Sequence, residues 1–277
     1  MPITIPFSAA NAMVRNPVGG GATVDTAISS TAIGDIVLVF TTAHSTGGTY
    51  DYLGPVGYTT LVSNYESSSP SGAVKGSTKV FYKILTAVDR TVTLPAVTAD
   101  QPITYAIVVV RGASLTNPFD TTPTRAKGFL SAAGVIPQPP AITTVSSGAY
   151  VIGFASVSLG TEISPESTWA APFTRLQSYN WDYLTWHGMC GTGRSLRGAA
   201  GSITPVMTSS IKSADGEWTG VTVAMRDASA VVVTGGNMKT WNGSAWVSKP
   251  AKVWNGSAWV RKPVKFWNGS AWVLTKY

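Results

Sequence analysis

The chain has 277 residues, of which 44% are hydrophobic and only 12% are charged, with a net charge of +7. This balance excludes an intrinsically disordered chain, and the single cysteine, Cys190, excludes an intrachain disulfide. No apolar run approaches the roughly 18 residues of a membrane helix. Residues 1–4 lack the basic start and apolar core of a signal peptide. We therefore expect synthesis in a cytoplasm and no membrane insertion. Gly, Thr, Ser and Val are abundant and no window has a helical 3.6-residue period, which predicts an all-β protein.

Three segments of the first half reappear in the second half, in the same order and about 115 residues later. The pairs are 34–40 with 148–154, 58–63 with 173–178, and 103–114 with 218–229. Matches in the same order at nearly the same offset predict a duplication. We divide the predicted body, residues 1–228, into halves of about 1–136 and 137–228.

Each half is predicted to carry the same series of strands. An apolar run opens the series and another closes it, and such runs fit central strands whose two faces are both buried. Between them, residues 79–84 are expected to form a hairpin with 91–94, and its counterpart in the second half is 183–190 with 203–204. Short strands separated by Gly, Ser and Pro predict a jelly-roll-like β-sandwich.

Catalytic and metal-binding patterns are absent from the sequence. A Ser-His-Asp site would have to use His44 or His187, and no Gly-x-Ser-x-Gly elbow is present. Both histidines are expected to be ordinary surface or loop residues. His187 with Cys190 offers too few ligands for zinc. We predict a protein that is not an enzyme and has no metal or other cofactor.

Two aromatic segments, expected to be surface loops, are the candidates for ligand contact. Their rings could stack on sugars while their short polar side chains bind hydroxyl groups. An alternative is that the rings cap the ends of the sandwich core. The predicted glycan-contact residues are Tyr50, Asp51, Tyr52, Tyr179, Asn180, Trp181, Asp182 and Tyr183.

After a linker at 229–237, residues 238–277 repeat Trp-Asn-Gly-Ser-Ala-Trp-Val three times with a period of 13 residues. Asn-Gly between β-forming residues predicts a hairpin with a type I′ turn. One such hairpin is marginally stable, so the units must stack on one another or on other copies of the chain. We expect a homo-oligomer, with a trimer favoured, whose tryptophans point inward and whose cations point outward. The assembly residues are Trp241, Trp246, Trp254, Trp259, Trp267 and Trp272.

The net charge lies entirely on this tail. Residues 239–277 carry seven Lys or Arg and no acidic residue, whereas residues 1–238 carry 13 of each. One interpretation is attraction to an anionic partner. The other, which we favour at this point, is that lysines prevent exposed strand edges from pairing with other chains. No nucleic-acid partner is expected.

The tail and the body strands together resemble minor tail proteins of phages that infect actinobacteria. The tandem repeats look like those that end such proteins, and 34–40, 80–83 and 108–113 are strands of the kind that they carry. The resemblance covers almost the whole chain. It implies a virion structural protein at the tail tip or fibre, with other tail proteins and host-envelope glycans as partners, and it implies no catalytic residues. A carbohydrate-binding receptor-recognition module and a capsid decoration or head-fibre protein are the alternatives.

Overall fold

The computed structural model describes residues 3–13, 24–45, 52–66, 75–94, 103–130, 137–159, 167–183, 186–208, 216–229, 237–262, 265–267 and 272–274. Within these ranges every regular element is a strand, which confirms the all-β prediction. Across the same ranges, no helix long and apolar enough to cross a membrane was found. The chain divides into two compact units, residues 1–230 (the N-terminal unit) and 231–277 (the C-terminal unit).

The first half of the N-terminal unit contains seven described strands. They are β1 (Thr4–Met13), β2 (Val24–Ala27), β3 (Ile36–Ser45), β4 (Thr59–Glu66), β5 (Lys75–Ile84), β6 (Thr91–Leu94) and β7 (Ile103–Arg111). Five of them form an antiparallel sheet in the order β1-β7-β3-β5-β4, and β2 pairs with β6 in a separate small sheet. The predicted hairpin of 79–84 with 91–94 is therefore wrong. Consecutive β5 and β6 belong to different sheets, because β5 already has β3 and β4 as its two neighbours.

The second half repeats this arrangement strand for strand. Its strands are β8 (Thr124–Leu130), β9 (Ile142–Thr144), β10 (Tyr150–Leu159), β11 (Thr174–Tyr183), β12 (Trp186–Leu196), β13 (Gly201–Ile203) and β14 (Gly216–Met225). The large sheet has the order β8-β14-β10-β12-β11, and β9 pairs with β13. Each strand of the second half has the number of its first-half counterpart plus seven, so the two strand orders are the same. Since β8 corresponds to β1, the boundary between the halves lies before Thr124 and not near residue 136. The expected counterpart hairpin of 183–190 with 203–204 is also absent, because β12 pairs with β10 and β11 while β13 pairs with β9.

The two large sheets pack face to face, which confirms the β-sandwich. β1 contacts β11, β5 contacts β14 and β7 contacts β12. The core between the sheets takes alternate side chains of the central strands of both halves. At its centre the rings of Phe40 and Phe154 stack with centroids 5.1 Å apart. These two residues are equivalent positions of the duplication, so a pseudo-twofold axis runs between β3 and β10. The jelly-roll-like connectivity stays a prediction.

The outer face of the first large sheet is filled by its own large side chains. Val39, Phe81 and Tyr105 are buried there against Val92 and Leu94 of the small sheet. Both faces of the central strands are thus covered, which explains the unbroken apolar stretches 36–40 of β3 and 105–110 of β7.

The outer face of the second large sheet is packed in the opposite way. The equivalent positions hold Gly153, Gly193 and Gly220, and the large side chains come from the covering segments. Trp169 lies so close that a Cβ on Gly193 would be 2.4 Å from its ring, and a Cβ on Gly220 would be 2.9 Å from Pro139. In the first half the large side chains belong to the sheet, whereas in the second half the sheet has glycines and the covering segments have the large side chains. The halves therefore share a strand order while differing in sequence.

The described residues of the C-terminal unit form three hairpins. They pair β15 (Asn237–Trp241) with β16 (Trp246–Pro250), β17 (Lys252–Trp254) with β18 (Trp259–Arg261), and β19 (Lys265–Trp267) with β20 (Trp272–Leu274). Each sequence repeat is one hairpin, as the repeat pattern predicts.

Candidate functional site

The repeated Asn-Gly-Ser-Ala motif builds the turn of each hairpin whose turn is described. The backbone N–H of Asn242 donates to the carbonyl of Ala245 at 3.0 Å. The Asn242 side-chain oxygen accepts from the N–H groups of Ser244 and Ala245, at 3.0 and 2.8 Å, and from the Ser244 hydroxyl at 3.1 Å. Asn255 makes the same bonds to Ser257 and Ala258. The motif therefore folds as a four-residue loop closed by an asparagine side chain.

The predicted type I′ turn is wrong for these two hairpins. A type I′ turn requires positive φ at both central residues. Here the glycines alone have it, with φ of 103° at Gly243 and 102° at Gly256. Asn242 and Asn255 contribute through their side chains instead. Three residues of the repeat thus have a role in the turn: Asn accepts the hydrogen bonds, Gly supplies the positive φ and Ser donates to Asn.

The turn places the two tryptophans of each repeat directly opposite each other. The pairs are Trp241 with Trp246, Trp254 with Trp259, and Trp267 with Trp272. In the second hairpin the rings of Trp254 and Trp259 are in contact, with centroids 5.8 Å apart and planes tilted by 60°. Cross-strand aromatic pairs of this kind stabilise a hairpin by about 0.2–1 kcal/mol. The side chains of Trp246, Trp267 and Trp272 lie outside the described residues.

These tryptophans are exposed within the unit. Trp241 is 56% exposed, Trp254 is 52% and Trp259 is 64%. Contact within a pair leaves the outer surface of each ring open. Neighbouring aromatic side chains that are more than half exposed form an apolar surface, and such surfaces mark candidate interaction sites.

Cations share the tryptophan face of the second hairpin. Lys252 is opposite Arg261 and Trp254 is opposite Trp259 in the register. Since residues i and i+2 of a strand lie on one face, all four side chains belong to the same face. The expectation that cations point away from the tryptophans is therefore wrong for this hairpin. The opposite face carries Val253, which is 51% exposed, and the half-buried Val260.

The predicted glycan contact at Tyr52 is wrong. Its ring is 6% exposed, and its hydroxyl shares a 2.7 Å hydrogen bond with the Thr41 hydroxyl. The ammonium group of Lys79 lies 4.7 Å from the ring centroid. Tyr52 thus covers the outer face of the first large sheet. The alternative interpretation, that such rings cap a core, fits this residue. Tyr50 and Asp51 lie outside the described residues.

The second aromatic segment is a strand and not a loop. Residues 179–183 continue β11, at the edge of the second large sheet. Tyr179 is partly buried against the core between the sheets, whereas Tyr52 belongs to the outer cluster of the first sheet. The structure does not bring these two rings together. Asn180 is partly buried, and Trp181, Asp182 and Tyr183 have described backbones only.

His44 is buried between the two sheets, which corrects the expectation of a surface or loop position. Its Nε2 shares a 3.0 Å hydrogen bond with the Thr104 hydroxyl, and its Nδ1 shares another with the Ser158 hydroxyl. Burial lowers the pKa of His44 to about 3, so the imidazole is neutral at pH 7. The sequence signal of this cluster is the mostly polar stretch Thr41-Thr42-Ala43-His44, which directly follows the apolar residues 36–40 within β3.

Cys190 lies in the same core and is equally inaccessible. Its thiol donates to the carbonyl of Tyr105 at 3.7 Å, and burial raises its pKa to about 12. A thiol in this environment is neither a nucleophile nor a metal ligand at neutral pH. The side chain of His187 lies outside the described residues.

No cluster of three or more metal-ligating side chains was found among the described residues. No protein-family model, no curated protein and no solved structure matches the chain.

Proposed function

We propose that this protein is a non-enzymatic structural component of a phage virion tail, a minor tail protein of the tip or fibre that contributes to tail assembly and host attachment. The observation that carries the proposal is the C-terminal unit, where the register of each of the three described hairpins places two tryptophans opposite each other. Three copies of one small interaction element in a single chain favour multivalent attachment, because each further contact forms at high effective concentration. The sequence resemblance to minor tail proteins supports the same role.

The positions of the reactive side chains support a structural role over an enzymatic one. His44 and Cys190 would be the base and the nucleophile of an active site, and both lie inside the core between the sheets. Their pKa values move in the directions that keep both groups neutral, down for His44 and up for Cys190. A catalytic base needs access to its substrate and a pKa near the working pH.

Oligomerisation is part of the proposal. The apolar face of the second hairpin, Val253 and Val260, is suited to contact with a copy of itself, because within the paired strands β17 and β18 the cations lie on the other face. Threefold packing of such faces would cover surface that a single hairpin leaves in water. The trimer follows from the family resemblance.

Immunogold labelling of intact virions tests the proposal. An antibody against the N-terminal unit should label the tail tip or fibre. Labelling of the capsid surface would favour the decoration or head-fibre alternative. Absence of the protein from purified virions would refute both. Glycan-array binding without any virion label would favour a free carbohydrate-recognition module.

A further inference from the structure

The tryptophan face of the second hairpin combines aromatic and cationic side chains in one surface. We define the Trp–cation face as Trp254, Trp259, Lys252 and Arg261. We propose that this face binds an acidic polysaccharide, with a sugar ring stacked on one of the two tryptophans and the negative groups of the polymer paired with Lys252 and Arg261. The inference rests on the proposed attachment role and names its ligand class.

Charge excludes a second copy of the same face as its partner. Residues 231–277 contain seven Lys or Arg and no Asp or Glu. Two Trp–cation faces in contact would bring four cations together without a compensating acidic side chain from either unit. Like charges placed opposite each other are destabilising, and desolvation would add to that cost. A negatively charged partner removes both penalties.

Exposure of the rings indicates that the anionic partner also has an apolar surface. Trp254 and Trp259 are 52% and 64% exposed, so most of their area is available to a ligand. A simple polyanion would use only the two cations. A pyranose ring has a flat face of C–H groups that can pack on indole, while its carboxylate or phosphate groups reach the neighbouring cations.

The shape of the face favours a sugar over a nucleic acid. Proteins that bind single strands combine stacked aromatic rings with a basic groove that follows the phosphate backbone. Here the rings contact each other at 5.8 Å with a 60° tilt, so no base fits between them. Each ring is more than half exposed, so a sugar ring can stack on the outer side of one indole.

The repeat supplies two further copies of the lysine and the tryptophan pair along the chain, with Ser248 and Leu274 in the place of Arg261. A lysine stands two residues before the first tryptophan in every repeat, at Lys239, Lys252 and Lys265. The hairpin register places each of these three lysines two positions from a tryptophan pair. A polymer with repeated charged sugars could engage several hairpins at once, which a single small sugar could not.

Binding of the full chain to sodium polygalacturonate, measured by biolayer interferometry, tests the inference. Fully methyl-esterified polygalacturonate has the same rings without charge, polyglutamate has charge without rings, and oligo(dT) represents nucleic acid. We expect polygalacturonate to bind at least about tenfold more tightly than each control, since two charge pairs and one stacked ring account for a factor of this size.

Variants separate the two components of the face. Trp254→Ala with Trp259→Ala should weaken binding about tenfold or more, as for other central aromatic anchors. Lys252→Gln with Arg261→Gln keeps both rings and should weaken binding several-fold and reduce its salt dependence. Arg125→Gln with Lys127→Gln removes two exposed cations from edge strand β8 and is the matched control, for which we expect unchanged binding.

Equal or tighter binding to polyglutamate would overturn the role of the rings, and tighter binding to oligo(dT) would replace the sugar by a nucleic acid. Unchanged binding by either C-terminal double variant, or no binding to polygalacturonate, would also overturn the inference. Immunogold labelling at the virion tail together with any of these results would refute the ligand class and leave the proposed tail function standing.

Discussion

Acidification should destabilise the N-terminal unit through His44. Burial lowers the pKa of this imidazole from 6.5 to about 3. Below pH 6.5 the unfolded chain takes up a proton at this site while the folded chain does not. The free energy of unfolding therefore falls with decreasing pH, by about 1.4 kcal/mol for each pH unit between 6.5 and 3. From pH 6.5 to pH 5 we expect a loss of about 2 kcal/mol from this residue.

Urea unfolding of residues 1–228, followed by circular dichroism at pH 7, 6.5, 6, 5.5 and 5, measures this slope. The variant His44→Gln should be less stable at pH 7, because the hydrogen bonds to Thr104 and Ser158 change, yet its stability should vary little across this range. His187→Gln is the matched control and should keep the wild-type slope. Glu217, buried on β14 opposite Ser158, is unchanged in all three proteins.

A flat wild-type profile between pH 6.5 and 5 would refute the burial of a neutral His44. A His44→Gln variant as steep as the wild type would assign the effect to another group. Loss of the slope in His187→Gln alone would indicate that His187, and not His44, causes the pH dependence.

Three further outcomes are expected. The full chain should scatter light as a trimer, while residues 1–228 should be monomeric and melt cooperatively; a monomeric full chain would refute assembly through the C-terminal unit. Gly193→Ala should destabilise the N-terminal unit by about 1–3 kcal/mol, since its Cβ would overlap Trp169, whereas Gly198→Ala, with no atom within 4 Å, should shift the melting temperature little; equal shifts would argue against the close contact. Asn255→Ala removes the acceptor of three hydrogen bonds and should weaken the Trp254–Trp259 exciton signal in circular dichroism more than Ser257→Ala, which removes only one side-chain hydrogen bond; an unchanged signal would mean that the asparagine cap does not maintain the pair.

Local sequence patterns predicted the strands well because a buried strand has few compatible patterns. The central strands β3, β7, β10 and β14 are buried on both faces, and each contains an apolar stretch, such as 36–40 in β3 and 105–110 in β7, that marks it in the sequence. The offset of about 115 residues predicted the duplication because each strand of the first half has a counterpart in the same order.

Strand partners were predicted less well because pairing depends on distant residues. Lys79–Ile84 and Thr91–Leu94 are close in sequence and compatible with a hairpin, yet β6 pairs with β2, about 65 residues earlier in the chain. The boundary between the halves was misplaced because β8, the first strand of the second half, was not recognised in the sequence. It lies at a sheet edge with alternating exposure and has no strong apolar run.

The repeat predicted the three hairpins but not the direct pairing of their tryptophans. That pairing requires a four-residue loop, whereas a two-residue type I′ turn at Asn242-Gly243 would have placed Trp241 opposite Ser244. The shared face of Trp254 and Lys252 follows from strand alternation, although the sequence interpretation placed the cations on the opposite side. Tyr52 was misassigned because its burial comes from Thr41, Lys79 and Phe81, which other strands supply.

His44 lies beside the pseudo-twofold axis between β3 and β10, where it contacts Ser158, the equivalent residue of the second half. In a dimer of identical chains, a residue on the twofold axis can meet only its own copy, as Phe40 meets its equivalent Phe154 here. A histidine at such a place would face a second histidine, so that two imidazole rings would have to fit into the same space. In a single chain the two equivalent positions can hold different residues, and here His44 shares a hydrogen bond with Ser158. One chain can therefore place a single imidazole beside the axis, an arrangement that exact twofold symmetry forbids.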